Sequence, residues 1–135
     1  MNGDFFIDSN IWLYAFMDES SPKPALAKAL IAQNNIVLST QVLNEVCNNL
    51  IRKAGYTEPE IQQTIRGLAA AYRILDVTLP IIQQASVLRV AYRLSYWDSL
   101  ILATAQAAGC SVVYSEDMQD GLKVDELTLR NPFKP

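Results

Sequence analysis

Phe5-Phe6-Ile7-Asp8-Ser9-Asn10-Ile11-Trp12-Leu13-Tyr14-Ala15-Phe16-Met17 is the stretch from which the fold can be read. Phe5, Phe6 and Ile7 make a short apolar run without alternation, the pattern of a strand buried on both faces. Asp8, Ser9 and Asn10 interrupt the run with residue types that favour helix starts. Ile11 to Met17 then continues as a hydrophobic helix. A buried strand feeding a helix points to an α/β fold.

Outward from that stretch the alternation repeats. The turn Ser20-Ser21-Pro22 opens a helix over Lys23 to Gln33, with Ala25, Leu26, Ala29 and Leu30 on one face. Ile36 to Leu38 is a second strand. Ser39 and Thr40 are candidate caps for a helix reaching Ala54, and Gly55 follows its end. Thr57 and Glu60 have capping-box spacing around Pro59, and that helix reaches Tyr72. Ile74 to Val77 is a third strand, followed by a helix from Pro80 to Leu94. Ser95 caps the next helix, which ends at Gly109. Ser111 to Tyr114 is a fourth strand, Leu122 to Val124 a short fifth, and Asn131 to Pro135 an irregular tail. This order predicts one domain over residues 1–135: a three-layer α/β/α fold with a central, mostly parallel sheet. Ligands of such sheets sit beyond the carboxyl ends of the strands, so the acids there are the residues to examine.

Composition narrows the chemistry. Fourteen acids against 11 bases give a net charge of −3, which argues against a passive nucleic-acid coat. The sequence has no histidine, which removes Ser-His-Asp and Cys-His catalysis, two-histidine ribonuclease chemistry and His-ligated zinc. Cys47 and Cys110 have no Cys-x-x-Cys spacing and lie in apolar surroundings, as small buried hydrophobes do. The N-terminus lacks a secretory pattern, and no stretch approaches the ~20 apolar residues of a membrane span. A cytoplasmic protein with no membrane association is expected.

Four acids carry the functional reading. Asp8 follows the first strand and reads either as an N-cap or as a site residue. Glu45 lies in the helix after the second strand, off the apolar face of Leu43, Val46, Cys47 and Leu50; taken alone it reads first as an ordinary solvated residue, and periodicity does not single it out. Asp98 stands three positions after Ser95, so a capping box competes with function. The helix it opens is apolar almost all round, however, and its mouth is close to strand ends. Asp117 follows the fourth strand in an acidic turn with Glu116 and Asp120. Together these acids can converge at one edge of the sheet. Oxygen ligands without His or Cys suit hard cations, Mg²⁺ or Mn²⁺. Such a cation can orient a phosphodiester, activate water and stabilise the leaving oxygen.

The sequence resembles the PIN-domain nucleases, and within them the VapC-like toxins of bacterial toxin–antitoxin pairs. Phe6-Ile7-Asp8-Ser9-Asn10-Ile11 is similar to the family's first motif, and Gln41-Val42-Leu43-Asn44-Glu45-Val46 to the second. Ser95 to Ala105 is similar to the third motif, and Val113-Tyr114-Ser115-Glu116-Asp117 to the fourth. The resemblance covers nearly the whole chain. It implies a Mg²⁺/Mn²⁺ site at Asp8, Glu45, Asp98 and Asp117, which would be both metal ligands and catalytic residues, with Ser115 hydrogen-bonding inside it. Asn10 and Asp120 are supporting candidates. It further implies RNA cleavage, a homodimer, and inhibition by a cognate antitoxin; RNA processing is the other use of this architecture.

Arg52 and Lys53, on the same helix as Glu45, are candidate RNA contacts, as are Arg89 and Arg93, with ordinary solvated charges as the alternative. Trp12, Tyr14 and Trp97 are candidate stacking partners for bases, core packing being the competing role for at least two of them. Two other functions fit part of the pattern. An aspartyl-phosphate phosphatase would use Asp8 as nucleophile, but that chemistry commonly has a second Asp two positions on, where this chain has Asn10. A non-catalytic protein-interaction domain fits the size and acidity but leaves four acids without a purpose.

Overall fold

The computed structural model describes residues 3–17 and 20–134. Met1 and Asn2 of the N-terminal reading, and Pro135 of the predicted tail, lie outside them. Among the described residues the elements run β1 (Asp4–Ile7), α1 (Ser9–Phe16), α2 (Lys23–Ile31), β2 (Ile36–Ser39), α3 (Thr40–Ala54), α4 (Glu58–Ala71), β3 (Arg73–Leu75), α5 (Leu79–Tyr92), α6 (Tyr96–Ala107), β4 (Cys110–Tyr114), β5 (Lys123–Val124) and β6 (Leu127–Arg130).

The strands form one sheet in the order β3-β2-β1-β4-β6-β5, parallel except for β5. The chain runs outward from β1 through β2 to β3, then returns to place β4 on β1's other side. The β1/β4 border is therefore the topological switch point, where open α/β sheets leave a crevice. Phe6 and Ile7, fully buried, sit at the centre of that sheet. Helix α1 packs on α2 and α3, whereas α6 lies against β2, β4 and β6 with α5 beside it. Leu100 to Ala105 of α6 are buried without a break, and Thr104 is satisfied within the helix by Leu100 O at 2.7 Å.

The caps work as expected. Ser39 Oγ accepts from Val42 N, and Gly55, at φ 68°, ends α3 in the left-handed conformation that a Cβ disfavours.

Three expectations are corrected. Helix α2 buries Pro24, Ala27 and Leu30, while Ala25, Leu26 and Ala29 are exposed. The same spacing runs through both sets, and packing against α1 selects one. Strand β3 is Arg73–Leu75 rather than Ile74 to Val77, because as the sheet's edge it pairs only with Val37 to Ser39 of β2. Strand β6 was not expected at all. Leu127 and Leu129 are buried, Thr128 half-buried and Arg130 exposed, a period-two signal only four residues long. It becomes a strand through parallel pairing with β4 and a tight hairpin to β5.

Candidate active site

Asp8 sits at the switch point. Its backbone N–H donates to Tyr114 O at 3.0 Å, which ties the end of β1 to the end of β4. Its side chain caps α1, with Oδ1 accepting from Ser9 N at 2.7 Å. Ser115 Oγ, just past β4, donates to Asp8 Oδ2 at 2.8 Å. The residue is only 5% exposed, so its carboxylate is largely cut off from water. Its pKa is raised to about 6. Burial is the main cause, the hydrogen bonds from Ser115 and Ser9 pull the other way, and the charges of Glu45 and then Asp98 push it further up.

Glu45 reaches this centre because α3 packs beside α1. Ser9 Oγ donates to Glu45 Oε2 at 2.9 Å, and Gln41 Nε2 donates to Glu45 Oε1 at 3.1 Å. Ser9 therefore joins Asp8 and Glu45 across 36 positions of sequence through its amide and its hydroxyl. It and Gln41 lay inside the motifs read from the sequence but were not singled out as site residues. Their signal was adjacency: one follows Asp8, the other stands one helical turn before Glu45.

Asp98 is half-buried in the first turn of α6. Ser95 Oγ accepts its backbone N–H at 3.2 Å, but the return bond that would close a capping box is not made. Among the described residues no donor engages the Asp98 carboxylate.

Asp117 is exposed and is not among the charges that raise Asp8. Asn10 Nδ2 donates to Asp117 Oδ2 at 3.0 Å, while Asn10 Oδ1 accepts from Glu116 N at 3.4 Å. Ser115 Oγ accepts from Asp117 N at 3.3 Å, so one hydroxyl serves both Asp8 and the turn that carries Asp117. Asn10 is thus a brace between α1 and this turn, not an acid two positions after Asp8. Asp120 Oδ1 accepts from Asn131 N at 2.8 Å and anchors the segment after β6. Glu116 belongs to a separate cluster, ion-paired to Lys23 and hydrogen-bonded to Tyr14.

The other expectations divide cleanly. Lys53 shares a hollow with Asn10, Leu13 and Tyr14, whereas Arg52 is exposed outside its lining. Arg89 is not a free charge: it donates to Ser99 Oγ at 2.7 Å and lies over the Tyr96 ring, while Arg93 caps α5 at φ 55°. Trp12 is fully buried and Tyr14 is packed on Phe133, but Trp97 is 63% exposed. Both thiols are free, and burial pushes Cys47 up and Cys110 up to about 12, so neither is a nucleophile at neutral pH.

Chemically, this donor set fits a hard divalent cation. It is all oxygen, and a buried carboxyl raised to about 6 beside two further acids is relieved by any cation that replaces the proton. The shell is not closed in advance: among the described residues no three acids already stand as a coordination cluster. Ser9, Ser115 and Gln41 donate to the oxygens of Asp8 and Glu45 that ligation would use.

A family model for the PIN domain matches residues 5–123. The chain belongs to the PIN-domain family. Among solved structures it is similar to a toxin–antitoxin complex from Klebsiella pneumoniae, at 22% identity and TM-score 0.74, covering 98% of this chain and 100% of that one. It is similar to VapC20 of Mycobacterium tuberculosis, a sarcin–ricin-loop-cleaving toxin, at 22% identity and TM-score 0.66 over 82% of this chain and 87% of that one. A third likeness is to VapBC2 of Rickettsia felis bound to promoter DNA, at 18% identity and TM-score 0.67, covering 94% and 97%. No curated protein sequence matches the chain. No described helix is long and apolar enough to cross a membrane.

Proposed function

We propose that this chain is a Mg²⁺- or Mn²⁺-dependent endoribonuclease, the toxin of a toxin–antitoxin pair. The observation that carries the reading is Asp8, buried at the β1/β4 switch point with Glu45 and Asp98 near enough to raise its pKa. Asp8, Glu45 and Asp98 would hold the cation, and Asp117 would complete the cluster as a further ligand or by orienting water. A divalent ion bound there supplies Lewis-acid stabilisation of the phosphodiester and a more acidic water.

The chain's own part is orientation. Ser9 and Ser115 fix the two oxygens of Asp8, Gln41 and Ser9 fix Glu45, and Asn10 steadies the exposed Asp117. Lys53, which lines the same hollow as Asn10, would meet a phosphate, with Arg52 next to it in sequence. Replacing both with Ala should reduce the salt dependence of RNA binding by about one to two phosphate contacts.

The antitoxin, a homodimeric state and a cytoplasmic location belong to the same proposal. Its support is the likeness to proteins solved as toxin–antitoxin complexes. The test is cleavage of single-stranded and structured RNAs by the purified protein with each metal and with chelator. Cleavage should appear with Mg²⁺ or Mn²⁺ and stop on chelation; cleavage that persists unchanged in excess chelator overturns the mechanism. Expression should arrest growth, and co-expression of a neighbouring small reading frame should relieve the arrest.

A further inference from the structure

Beside the acids, between α3 and the start of α6, lie two adjoining hollows of about 360 Å³ each, both lined by Gln41, Asn44 and Trp97. One continues to Glu45, and the other runs under Tyr96 to Ile82 and Leu100. Their lining is mostly apolar and includes no Lys or Arg among the described residues. Glu45 at the rim adds negative charge. A phosphate is therefore disfavoured in this groove, while a flat, uncharged group is not.

Trp97 is mounted as a platform. The Arg89 guanidinium lies 4.5 Å from the Tyr96 ring centroid, and Tyr96 stands edge-on to Trp97 with centroids 5.1 Å apart. Arg89 is itself held by Ser99 at 2.7 Å. This bracing keeps a 63%-exposed indole at the groove instead of letting it fold onto the core.

The groove also has unused polar capacity. Gln41 Nε2 donates to Glu45 Oε1 at 3.1 Å and to Trp97 O at 3.3 Å, both acceptors, so the amide cannot be turned over. That orientation leaves Gln41 Oε1 shut away from water with no donor. That oxygen is closed to an incoming ligand as it is to water, so the polar group able to meet a ligand's edge here is the exposed Asn44 amide.

We propose that the Gln41–Asn44–Trp97 groove is a nucleobase subsite, which holds one unpaired base of a single-stranded RNA next to the phosphate at the acid cluster. The base stacks on Trp97, and the exposed Asn44 amide donates to and accepts from its edge. The inference rests on the nuclease reading, and it adds that recognition beside the cut is through a base and not through phosphates alone. Aromatic stacking is the sequence-tolerant part of single-strand recognition, and edge hydrogen bonds supply the preference.

Tryptophan emission gives a direct readout, because the second tryptophan, Trp12, is fully buried. Titrate the full chain in Mg²⁺ with short single-stranded RNAs carrying cleavage-resistant phosphorothioate linkages, alongside the same backbone lacking one base at successive positions. Base-containing RNA should quench the emission, and loss of the base at one position should weaken binding about tenfold or more. Trp97→Phe should keep most of the affinity and lose the quench; Trp97→Ala should lose about the same affinity as removal of the base. Circular dichroism checks that both variants fold.

Equal binding of complete and abasic RNA, with cleavage of ordinary RNA intact, would overturn the subsite and leave the nuclease reading standing. Failure to bind or cleave any RNA overturns both. If Trp97→Ala leaves RNA binding unchanged but abolishes binding of the co-expressed antitoxin, the groove is a protein-docking site and the proposal fails.

Discussion

Helices α4 and α6 begin with the same device and use it differently. Thr57 and Glu60 at the start of α4, and Ser95 and Asp98 at the start of α6, share the spacing of a capping box. In α4 the box closes: Thr57 Oγ1 accepts from Glu60 N, and Glu60 Oε1 accepts from Thr57 N at 3.0 Å. In α6 Ser95 accepts from Asp98 N, but the carboxylate, one methylene shorter than glutamate's, makes no return bond. The first acid is consumed by local structure and lies in solvent. The second is left over at the end of a buried helix, close enough to raise the pKa of Asp8. The same spacing thus closes a cap in one place and leaves a carboxylate without a donor in another.

The comparison can be broken most sharply by exchanging charge for neutrality at each acid. Asp98→Asn should reduce RNA cleavage a hundredfold or more, whereas Glu60→Ala should leave cleavage unchanged. In chelator the order reverses: Asp98→Asn should melt higher than wild type because a like charge is gone, and Glu60→Ala lower because a box is opened. Mg²⁺ at 100 times its dissociation constant should stabilise wild type by about 2.7 kcal/mol, roughly 10 °C, and Asp98→Asn by much less. Initial cleavage rates and paired thermal melts measure all of this. An Asp98→Asn protein that melts lower in chelator would show that its carboxylate was a cap after all.

Next in size is an opposition in pH dependence. Folding raises Asp8 from 3.8 to about 6, so the folded state binds the proton more tightly than the unfolded one. The metal-free protein should therefore lose stability as pH rises through that window, by up to about 3 kcal/mol. Glu60 is shifted the other way, mainly by the backbone bond from Thr57, so its contribution is present above its ordinary value of 4.5 and lost as pH falls through the lowered one. Urea melts in chelator between about pH 4 and 7 should show the Asp8 slope, and Asp8→Asn should flatten it while Asn still caps α1. A slope unchanged by Asp8→Asn would assign the window to another group.

The smallest effects belong to the caps themselves. Ser95→Ala and Thr57→Ala should each cost about 1 kcal/mol. Only Ser95→Ala should also slow cleavage, by a few-fold, since it loosens the turn that carries Asp98. Equal activity in the two variants would separate the α6 cap from the site.

Much of this was legible along the chain. Strand β1 announced itself as an unbroken apolar run, and α3, α4 and α6 by caps and their spacing. All four motif acids were readable as candidates. Strand β5 was also expected, but β6 was not, because four alternating residues beside an irregular tail carry too weak a local signal. The working face of α2 was hidden for a different reason: two sets of residues had the right spacing.

What the sequence determined by itself was the order of elements, the absence of histidine chemistry and the membership of Asp8, Glu45, Asp98 and Asp117 in recognisable motifs. Those are short-range properties, set by neighbours a few residues apart. Tertiary structure decided which acids stand near Asp8. The sheet order puts β4 beside β1, so Ser115 reaches Asp8 across 107 positions, and α3 beside α1, so Ser9 reaches Glu45. It also decided that Trp12 is core and Trp97 is surface, although nothing in either side chain differs. Burial, dielectric and like-charge repulsion act through space, and they exist only once the strands have chosen their neighbours.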